Sequence, residues 1–241
     1  MTTISANLQA VRTRIEAAAR AAGRDPATIC LIAVTKTWPA AAVSDAAACG
    51  QRAFGENYAQ EGVQKVRELA GLGLEWHFIG PLQSNKTQLI AAHFDWVHGV
   101  DRAKIAARLS AQRAPAQAPL QVCIQVNLGG ESSKSGVAPQ AVAELARVIE
   151  NLPGLRLRGL MCIPEATENT VLLARRFGEL AALRDALNAA GFALDTLSMG
   201  MSQDFELAIA HGATMVRVGS AIFGTRAGGP PDGPASEKES S

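Results

Sequence analysis

The sequence predicts an α/β protein built as a single (β/α)8 barrel of the TIM type, with one extra helix at its amino terminus. Apolar segments rich in β-branched residues alternate with segments of helical periodicity along most of the 241 residues. Such alternation implies parallel strands joined by right-handed crossovers, and the length fits one barrel. The alternative is an open doubly wound sheet, which needs a glycine-rich turn after its first strand. Residues 35–39, in which that strand ends here, contain no glycine.

The first elements are a helix, a strand and a second helix. Alanine, leucine, valine and isoleucine recur at helical spacing from Ile4 to Ala22, which predicts a helix that covers one end of the barrel or takes the place of its eighth helix. The apolar run Ile29–Lys36 predicts the first strand, buried on both faces. A helix over Pro39–Cys49 follows, because proline fits a first helical turn and Gly50 fits a helix end.

The remaining elements repeat the strand-then-helix unit. The predicted strands are apolar runs bounded by turn residues, and they span Arg52–Asn57, Glu75–Gly80, Trp96–Val100, Leu120–Leu128, Leu155–Ile163, Leu194–Gly200 and Met215–Phe223. Helical spacing predicts the helices Ala59–Leu69, Ser84–Ala92, Ala103–Gln112, Pro139–Glu150, Glu168–Ala190 and Ser202–Ala210. We assign residues 1–226 to the barrel and expect residues 227–241, rich in glycine, proline, serine and charge, to form a disordered tail.

Composition and charge argue against several classes of protein. The chain is 48% hydrophobic and 19% charged, which is ordinary for a globular protein. Its formal net charge of +1 and its aromatic content of 5% argue against nucleic-acid binding and against an anionic membrane surface. The four cysteines lack metal-site spacing, so we interpret them as reduced thiols. Because no signal peptide or long apolar span is evident, we expect a cytoplasmic protein.

Lys36 lies where the first strand ends and a helix is about to begin. In an α/β fold, ligands bind at that edge, the carboxyl ends of the strands. A lysine partly removed from water there favours its neutral form, and a neutral amine condenses with an aldehyde to give a Schiff base. The plainer interpretation is that Lys36 pairs with a carboxylate or extends into solvent. Lys86 and Lys134 lie in strand-end loops, as secondary sites or as solvated charges.

Two segments that contain glycine and serine follow the last two predicted strands. The first runs from Ser198 to Ser202 and precedes a helix expected to begin near Gln203, and the second is Gly219-Ser220. Loops after strands seven and eight are the usual phosphate site of a barrel, because free N–H groups and hydroxyls suit a dianion. The alternative is that Ser202 is only a helix N-cap and that the glycines are only turn residues.

A phosphate site that faces a Schiff-base lysine has two broad interpretations. One is a sugar-phosphate aldolase. The other is a protein that binds pyridoxal 5′-phosphate (PLP), whose aldehyde meets the lysine and whose phosphate meets the loops. Arg217 lies two residues before Gly219, on the same face of the strand, so it is placed to meet the ring nitrogen of PLP. Equally, Arg217 could form an ion pair with a carboxylate such as Glu56.

Several ordered motifs resemble the YggS/PROSC family of PLP homeostasis proteins. They are AVTKTWP (33–39), FGENYAQE (54–61), WHFIGPLQSNK (76–86), SKSG (133–136), RGLMCIP (158–164), LSMGMSQDFELAI (197–209) and VRVGSAIFG (216–224). The resemblance covers the chain from its first helix to about Arg226. It implies a single barrel like the N-terminal domain of alanine racemase.

The resemblance also implies roles for individual residues. Lys36 is similar to the Schiff-base lysine of the family, and Arg217 is similar to the partner of the ring nitrogen. Asn57 and His77 correspond to residues that line the pocket. The residues implied to hold the phosphate or to lie beside it are Ser198, Met201, Ser202, Gly219 and Ser220.

The residues favour a protein that holds PLP over an enzyme that uses it. A charged Arg217 would leave the ring nitrogen unprotonated, which weakens the ring as an electron sink. Racemisation also needs a second base, and the chain has one tyrosine, Tyr58, and no second domain. We therefore predict a monomer that holds PLP on Lys36 and passes it to apo-enzymes without strong turnover. The alternatives are a PLP-dependent amino-acid racemase with His77 or Cys162 as its base, and a regulatory partner protein that senses PLP.

Overall fold

Eight parallel strands close into a barrel in the computed structural model, which describes residues 3–130 and 135–224. The strands are β1 Cys30–Val34, β2 Ala53–Glu56, β3 Glu75–Phe78, β4 Trp96–Val100, β5 Leu120–Gln125, β6 Leu155–Met161, β7 Thr196–Ser198 and β8 Met215–Val218. Each strand pairs with the next, and β8 pairs with β1 to complete the ring. The predicted barrel is therefore confirmed.

Helices surround this barrel. They are α1 Thr3–Ala21, α2 Ala40–Ala48, α3 Ala59–Glu68, α4 Thr87–His93, α5 Ala103–Gln112, α6 Val142–Glu150, α7 Thr170–Ala189, α8 Phe205–Ala210 and α9 Ser220–Phe223. Short 3-10 helices span Pro26–Thr28, Ala70–Leu72 and Pro139–Ala141. Across the described ranges, no helix combines the length and apolar character that a membrane span requires.

The strands alternate residues that face the barrel interior with residues that face the helices. Ile32, Trp96 and Met215 belong to a small apolar cluster inside the barrel. Residues of the opposite parity, such as Phe54 and Val97, join the larger core between the barrel and its helices. Position within a strand therefore decides whether a side chain reaches the interior.

The amino-terminal helix α1 occupies the place of the eighth barrel helix. It packs against α8 and α9 on one side and against α2 on the other. Its buried residues recur at helical spacing, at Leu8, Val11, Ile15 and Ala19. The alternative expectation, that this helix covers an end of the barrel, is wrong.

The last predicted strand is too long. β8 ends at Val218, and the apolar residues that follow form the short helix α9. Ile222 is fully buried there, and the Phe223 ring lies 5.9 Å from that of Trp38. These apolar side chains can be buried on a helix as well as on a strand. A short apolar run in the sequence therefore does not tell a helix from a strand.

Other predicted boundaries shift at the carboxyl ends of the barrel strands. β1 ends at Val34, so Lys36 lies in the turn beyond the strand. The helix after β7 begins at Phe205 rather than at Ser202. Lys134 and the predicted tail, residues 227–241, lie outside the described residues.

We expect Gly159→Ala to destabilise the fold strongly. A Cβ atom at Gly159, in β6, would lie 1.8 Å from the backbone oxygen of Thr196 in β7, so the two strands would have to separate. The free energy of unfolding should fall by about 3 kcal/mol, measured by urea denaturation. Gly71→Ala is the matched control, because nothing lies within 4 Å of a Cβ there. Equal effects of the two substitutions would contradict this view of the β6–β7 pair.

Candidate functional site

The predicted site residues belong mainly to four adjacent strands. In the ring these strands follow the order β7, β8, β1, β2. Lys36 follows β1 and Asn57 follows β2, while Arg217 lies within β8 directly beside Ile32 of β1. Ser198 is the last residue of β7. The structure therefore brings these four residues to one side of the carboxyl end of the barrel.

The turn that carries Lys36 is held from outside the barrel. The Thr35 hydroxyl donates to Glu56 Oε1 at 2.6 Å, and the Thr37 backbone N–H donates to Glu61 Oε1 at 2.6 Å. Thr37 has a φ of 64°, a left-handed conformation that is costly for a β-branched residue. Lys36 lies between these two anchored residues and is partly buried.

Lys65 of α3 joins these groups into one buried cluster. Its ammonium lies 2.7 Å from Glu56 Oε1, 2.7 Å from Glu61 Oε1 and 2.6 Å from the Thr35 carbonyl oxygen. Burial raises the pKa of Glu56, although Lys65 and the Thr35 hydroxyl act in the opposite direction. The cluster was missed from the sequence, because no motif marks Lys65 as buried.

Arg217 is a buried cation without an ion pair among the described residues. Its Nη1 donates to Ser198 Oγ at 2.7 Å and its Nη2 to the Cys162 carbonyl oxygen at 3.0 Å. In the part of the chain that the structure describes, no carboxylate lies within ion-pair distance of it. Burial lowers its pKa, but an arginine remains charged. The suggested pairing with Glu56 is wrong, because Glu56 faces α3 on the outer side of the wall.

Ser198 supports Arg217 rather than the phosphate loops. Its side chain is fully buried, and its hydroxyl lies 2.7 Å from Arg217 Nη1 and 2.8 Å from His98 Nδ1. Both contacts lie inside the barrel. The structure therefore places the Ser198 hydroxyl against Arg217 and His98, and its part in a phosphate cradle stays a prediction.

The loops after β7 and β8 meet at the edge of the barrel. The Gly219 backbone N–H donates to Ser202 Oγ at 3.3 Å, and the Met201 N–H donates to Asp204 Oδ1 at 2.6 Å. A Cβ at Gly219 would lie 3.3 Å from the Val34 carbonyl oxygen, so glycine allows this close approach to β1.

The surface beside these loops is open. Ser220 is exposed, and Met201 is 40% exposed. Ser220 also opens the short helix α9, whose first N–H groups have no acceptor within the helix.

Asn57 has a buried side-chain oxygen. Its Oδ1 has no hydrogen-bond partner among the residues that the structure describes. Its backbone is tightly packed, because a Cβ at Gly80 would lie 2.2 Å from the Asn57 carbonyl oxygen. An acceptor that is fixed in place and unpartnered is the expected feature of a ligand pocket.

His77 lies inside the barrel and does not line its mouth. It is fully buried in β3, beside Gly55 of β2, and its ring stacks on Trp96 at 5.5 Å. Its Nδ1 lies 3.0 Å from His98 Nε2, and its Nε2 lies 2.8 Å from Glu75 Oε1. The structure thus places both ring nitrogens of His77 on other side chains, and its predicted pocket-lining role stays a prediction.

His98 and Glu75 are further polar residues that sequence reasoning missed. His98 lies in β4 and is fully buried, and Glu75 is the first residue of β3. The sequence offered only a weak signal for them. Both are polar residues at positions expected to face the barrel interior, in two consecutive predicted strands.

Comparison with known proteins establishes the family. The family model of the alanine racemase N-terminal domain matches residues 6–227. The chain belongs to this family. Its membership confirms the resemblance expected from the sequence motifs.

Similar proteins of this family share most of the chain. A pyridoxal phosphate homeostasis protein of Pseudomonas aeruginosa is 58% identical over 231 residues, which cover 96% of this chain and 99% of the relative. The protein of the same description from Escherichia coli is 52% identical over 229 residues, which cover 94% of this chain and 98% of the relative.

Solved structures agree with the fold. PipY of Synechococcus elongatus is 36% identical, with TM-scores of 0.83 without PLP and 0.81 with PLP bound, and the match covers 92% of this chain and 100% of PipY. Alanine racemase from Corynebacterium glutamicum is 18% identical, with a TM-score of 0.66. That match covers 93% of this chain and 61% of the racemase, and at this identity it supports the fold alone.

The residues at the carboxyl end of the barrel fit PLP. Asn57 Oδ1 is an acceptor without a partner, and Arg217 is a buried cation with N–H groups still available. Glycine at position 219 lets the loop after β8 approach Val34 at the edge of the barrel, where a side chain would crowd it. A phosphorylated aromatic aldehyde offers groups that match these donors and acceptors.

We expect Lys65→Met to destabilise the protein by about 3–5 kcal/mol near pH 7.5, because it leaves Glu56 buried without a cation. The raised pKa of Glu56 would rise further in this variant. A group with a raised folded-state pKa stabilises the fold below its unfolded pKa of about 4.3, and that stabilisation is lost as pH rises through the folded value.

The deficit of the Lys65→Met variant should therefore shrink as the pH is lowered toward about 5. Urea unfolding at several pH values measures it. The control is Lys104→Met, an exposed lysine on α5. A deficit that is small, or that grows on acidification, would contradict the buried cluster.

Proposed function

We propose that this protein binds PLP at the carboxyl end of its barrel, holds it as a Schiff base on Lys36 and passes it on, without strong turnover of its own. The observation that carries the proposal is Arg217, a buried cation with no carboxylate partner in residues 3–130 and 135–224, on the strand that pairs with β1, which leads to Lys36. The relatives described as PLP homeostasis proteins and the PipY structure with PLP bound support it.

Each residue has a defined task in this proposal. When PLP is bound, its aldehyde condenses with the Lys36 amine, and a water molecule leaves. Arg217 donates an N–H to the ring nitrogen and leaves that nitrogen unprotonated. Asn57 contributes its free acceptor, and Ser198 holds the guanidinium of Arg217 in place. The phosphate contacts are assigned to the loop residues Met201, Ser202, Gly219 and Ser220.

The surroundings of the two suggested bases argue against a racemase. His77 is fully buried inside the barrel, where both ring nitrogens already have partners. Burial raises the pKa of the Cys162 thiol to about 12, so it is a poor base near neutral pH. Tyr58 is 53% exposed. None of these residues offers an accessible base beside the cofactor.

The wider setting is part of the same proposal. The exposed surface beside the loops after β7 and β8 suits transfer of the cofactor to apo-enzymes. We propose that the protein acts as a monomer in the cytoplasm. Neither nucleic acid nor a membrane has a role in this account, because the chain carries almost no net charge.

Borohydride reduction should fix PLP to Lys36. Mass spectrometry of the digested adduct is expected to show the modification on the peptide that contains Lys36, and Lys36→Ala should remove it. Lys86→Ala is the control and should leave the adduct unchanged. Modification mainly at Lys86 or Lys134 would mean that the assigned nucleophile is wrong.

Racemisation of amino acids should be negligible in the PLP-loaded protein. Chiral chromatography after incubation with alanine and other amino acids measures it, with an alanine racemase as positive control. A robust rate that disappears in Lys36→Ala would overturn the holding role and favour a racemase.

A further inference from the structure

A line of polar side chains crosses the interior of the barrel. It begins at Arg217 and continues through Ser198, His98 and His77 to Glu75. The consecutive contacts measure 2.7 Å, 2.8 Å, 3.0 Å and 2.8 Å. Four of the five side chains are almost fully buried, whereas that of Glu75 is 47% exposed. We call these five residues the interior chain.

The interior chain joins the two ends of the barrel. Glu75 is the first residue of β3 and lines a surface cavity of about 510 Å³ together with Glu16, Arg52 and Cys30, the first residue of β1. Arg217 lies toward the opposite end, where the phosphate loops begin. The solvent-facing carboxylate of Glu75 at one end of the barrel is therefore connected by hydrogen bonds to the guanidinium of Arg217 toward the other end.

Only one arrangement of protons satisfies every contact while both histidines are neutral. Because Arg217 can only donate, Ser198 Oγ accepts from it, and the Ser198 hydroxyl donates to His98 Nδ1. His98 then donates from Nε2 to His77 Nδ1. His77 donates from Nε2 to the carboxylate of Glu75. All donations run in the same direction, from Arg217 to Glu75.

The reverse arrangement fails at both ends. If the neutral His98 donated from Nδ1 to Ser198, the serine hydrogen would have no acceptor in the chain. The neutral His77 would then donate from Nδ1 and turn the lone pair of Nε2 toward Glu75 Oε1 at 2.8 Å, where two acceptors repel.

The surroundings of His98 are consistent with a neutral ring. Burial, followed by the proximity of His77 and of Arg217, lowers the pKa of His98 well below its ordinary value. The hydrogen bond from His77 is the largest cause that lowers the pKa of Glu75, so the terminal acceptor is a carboxylate.

We propose that His98 and His77 are positioning residues for the bound cofactor: through Ser198 they fix the guanidinium of Arg217 that meets the ring nitrogen, with Glu75 as the anchoring acceptor. The inference rests on the proposed function. It assigns a role in PLP binding to a carboxylate at the far end of the barrel. Hydrogen bonds in such a line polarise one another, so a change at Glu75 alters how Arg217 is held.

The first test uses the protein without PLP. Long-range ¹H–¹⁵N correlation spectra of histidine side chains report which ring nitrogen carries the proton. We expect His77 and His98 both to carry it on Nε2. A proton on Nδ1 of either neutral ring would overturn the proposal.

The second test compares variants by PLP affinity and by the absorption of the imine formed with Lys36. Glu75→Gln keeps an acceptor but removes the charge, and we expect about threefold weaker PLP binding and a shifted imine band. His98→Phe interrupts the chain and should weaken binding about tenfold. Glu16→Gln is the matched control, an exposed carboxylate at the same cavity. It should behave like the parent.

The outcomes separate the two proposals. If the parent carries PLP on Lys36 but Glu75→Gln has the same affinity and spectrum as Glu16→Gln, the inference is overturned and the proposed function stands. If the parent forms no adduct on Lys36, both are overturned. If His98→Phe does not fold, the comparison of Glu75→Gln with Glu16→Gln alone tests the inference.

Discussion

The pairing of β8 with β1 is the constraint on which the site depends. Four register pairs, from Cys30 with Met215 to Ala33 with Val218, close the ring. They bring together the turn that carries Lys36, the guanidinium of Arg217 and the loop at Gly219. These residues are far apart in the sequence, and only ring closure makes them neighbours. The close approach of Gly219 to Val34 shows how tightly this seam is packed.

Two polar systems lie on opposite sides of the same barrel wall. Outside it, Lys65 binds Glu56 and Glu61 and holds the turn around Lys36. Inside it, the interior chain holds Arg217. Buried charges are costly unless they are paired and hydrogen-bonded, so neither system follows from the needs of the fold alone. The outer system holds the turn that carries Lys36, and the inner system holds the guanidinium of Arg217.

Much of the fold could be predicted because its signals are local. The bounds of β4 and α5 match the sequence prediction, and the alternation of strands and helices is regular. Several strands were predicted to extend too far at their carboxyl ends. The strand predicted over Leu120–Leu128, for example, ends at Gln125 in the structure. Apolar residues continue past the last ladder hydrogen bond there, since they line loops that pack on the barrel.

The site was predictable only where position within a strand sufficed. The positions of Lys36, Asn57 and Arg217 follow from strand ends and parity, while their roles stay predictions. The contacts of Ser198 and His77 do not follow in this way, because their partners depend on how strands distant in sequence are aligned. His98 Nδ1 meets Ser198 across the barrel, a contact between residues that no motif links. Burial of Lys65 likewise depends on how α3 packs against β2.

The most direct test of the central claim is a crystal structure of the protein soaked with PLP. The account predicts that the C4′ carbon is bonded to Lys36 Nζ, that the ring nitrogen accepts a hydrogen bond from Arg217, and that the phosphate lies against Ser202 and Gly219. A cofactor with C4′ unattached, and with its phosphate away from the loops after β7 and β8, would contradict it.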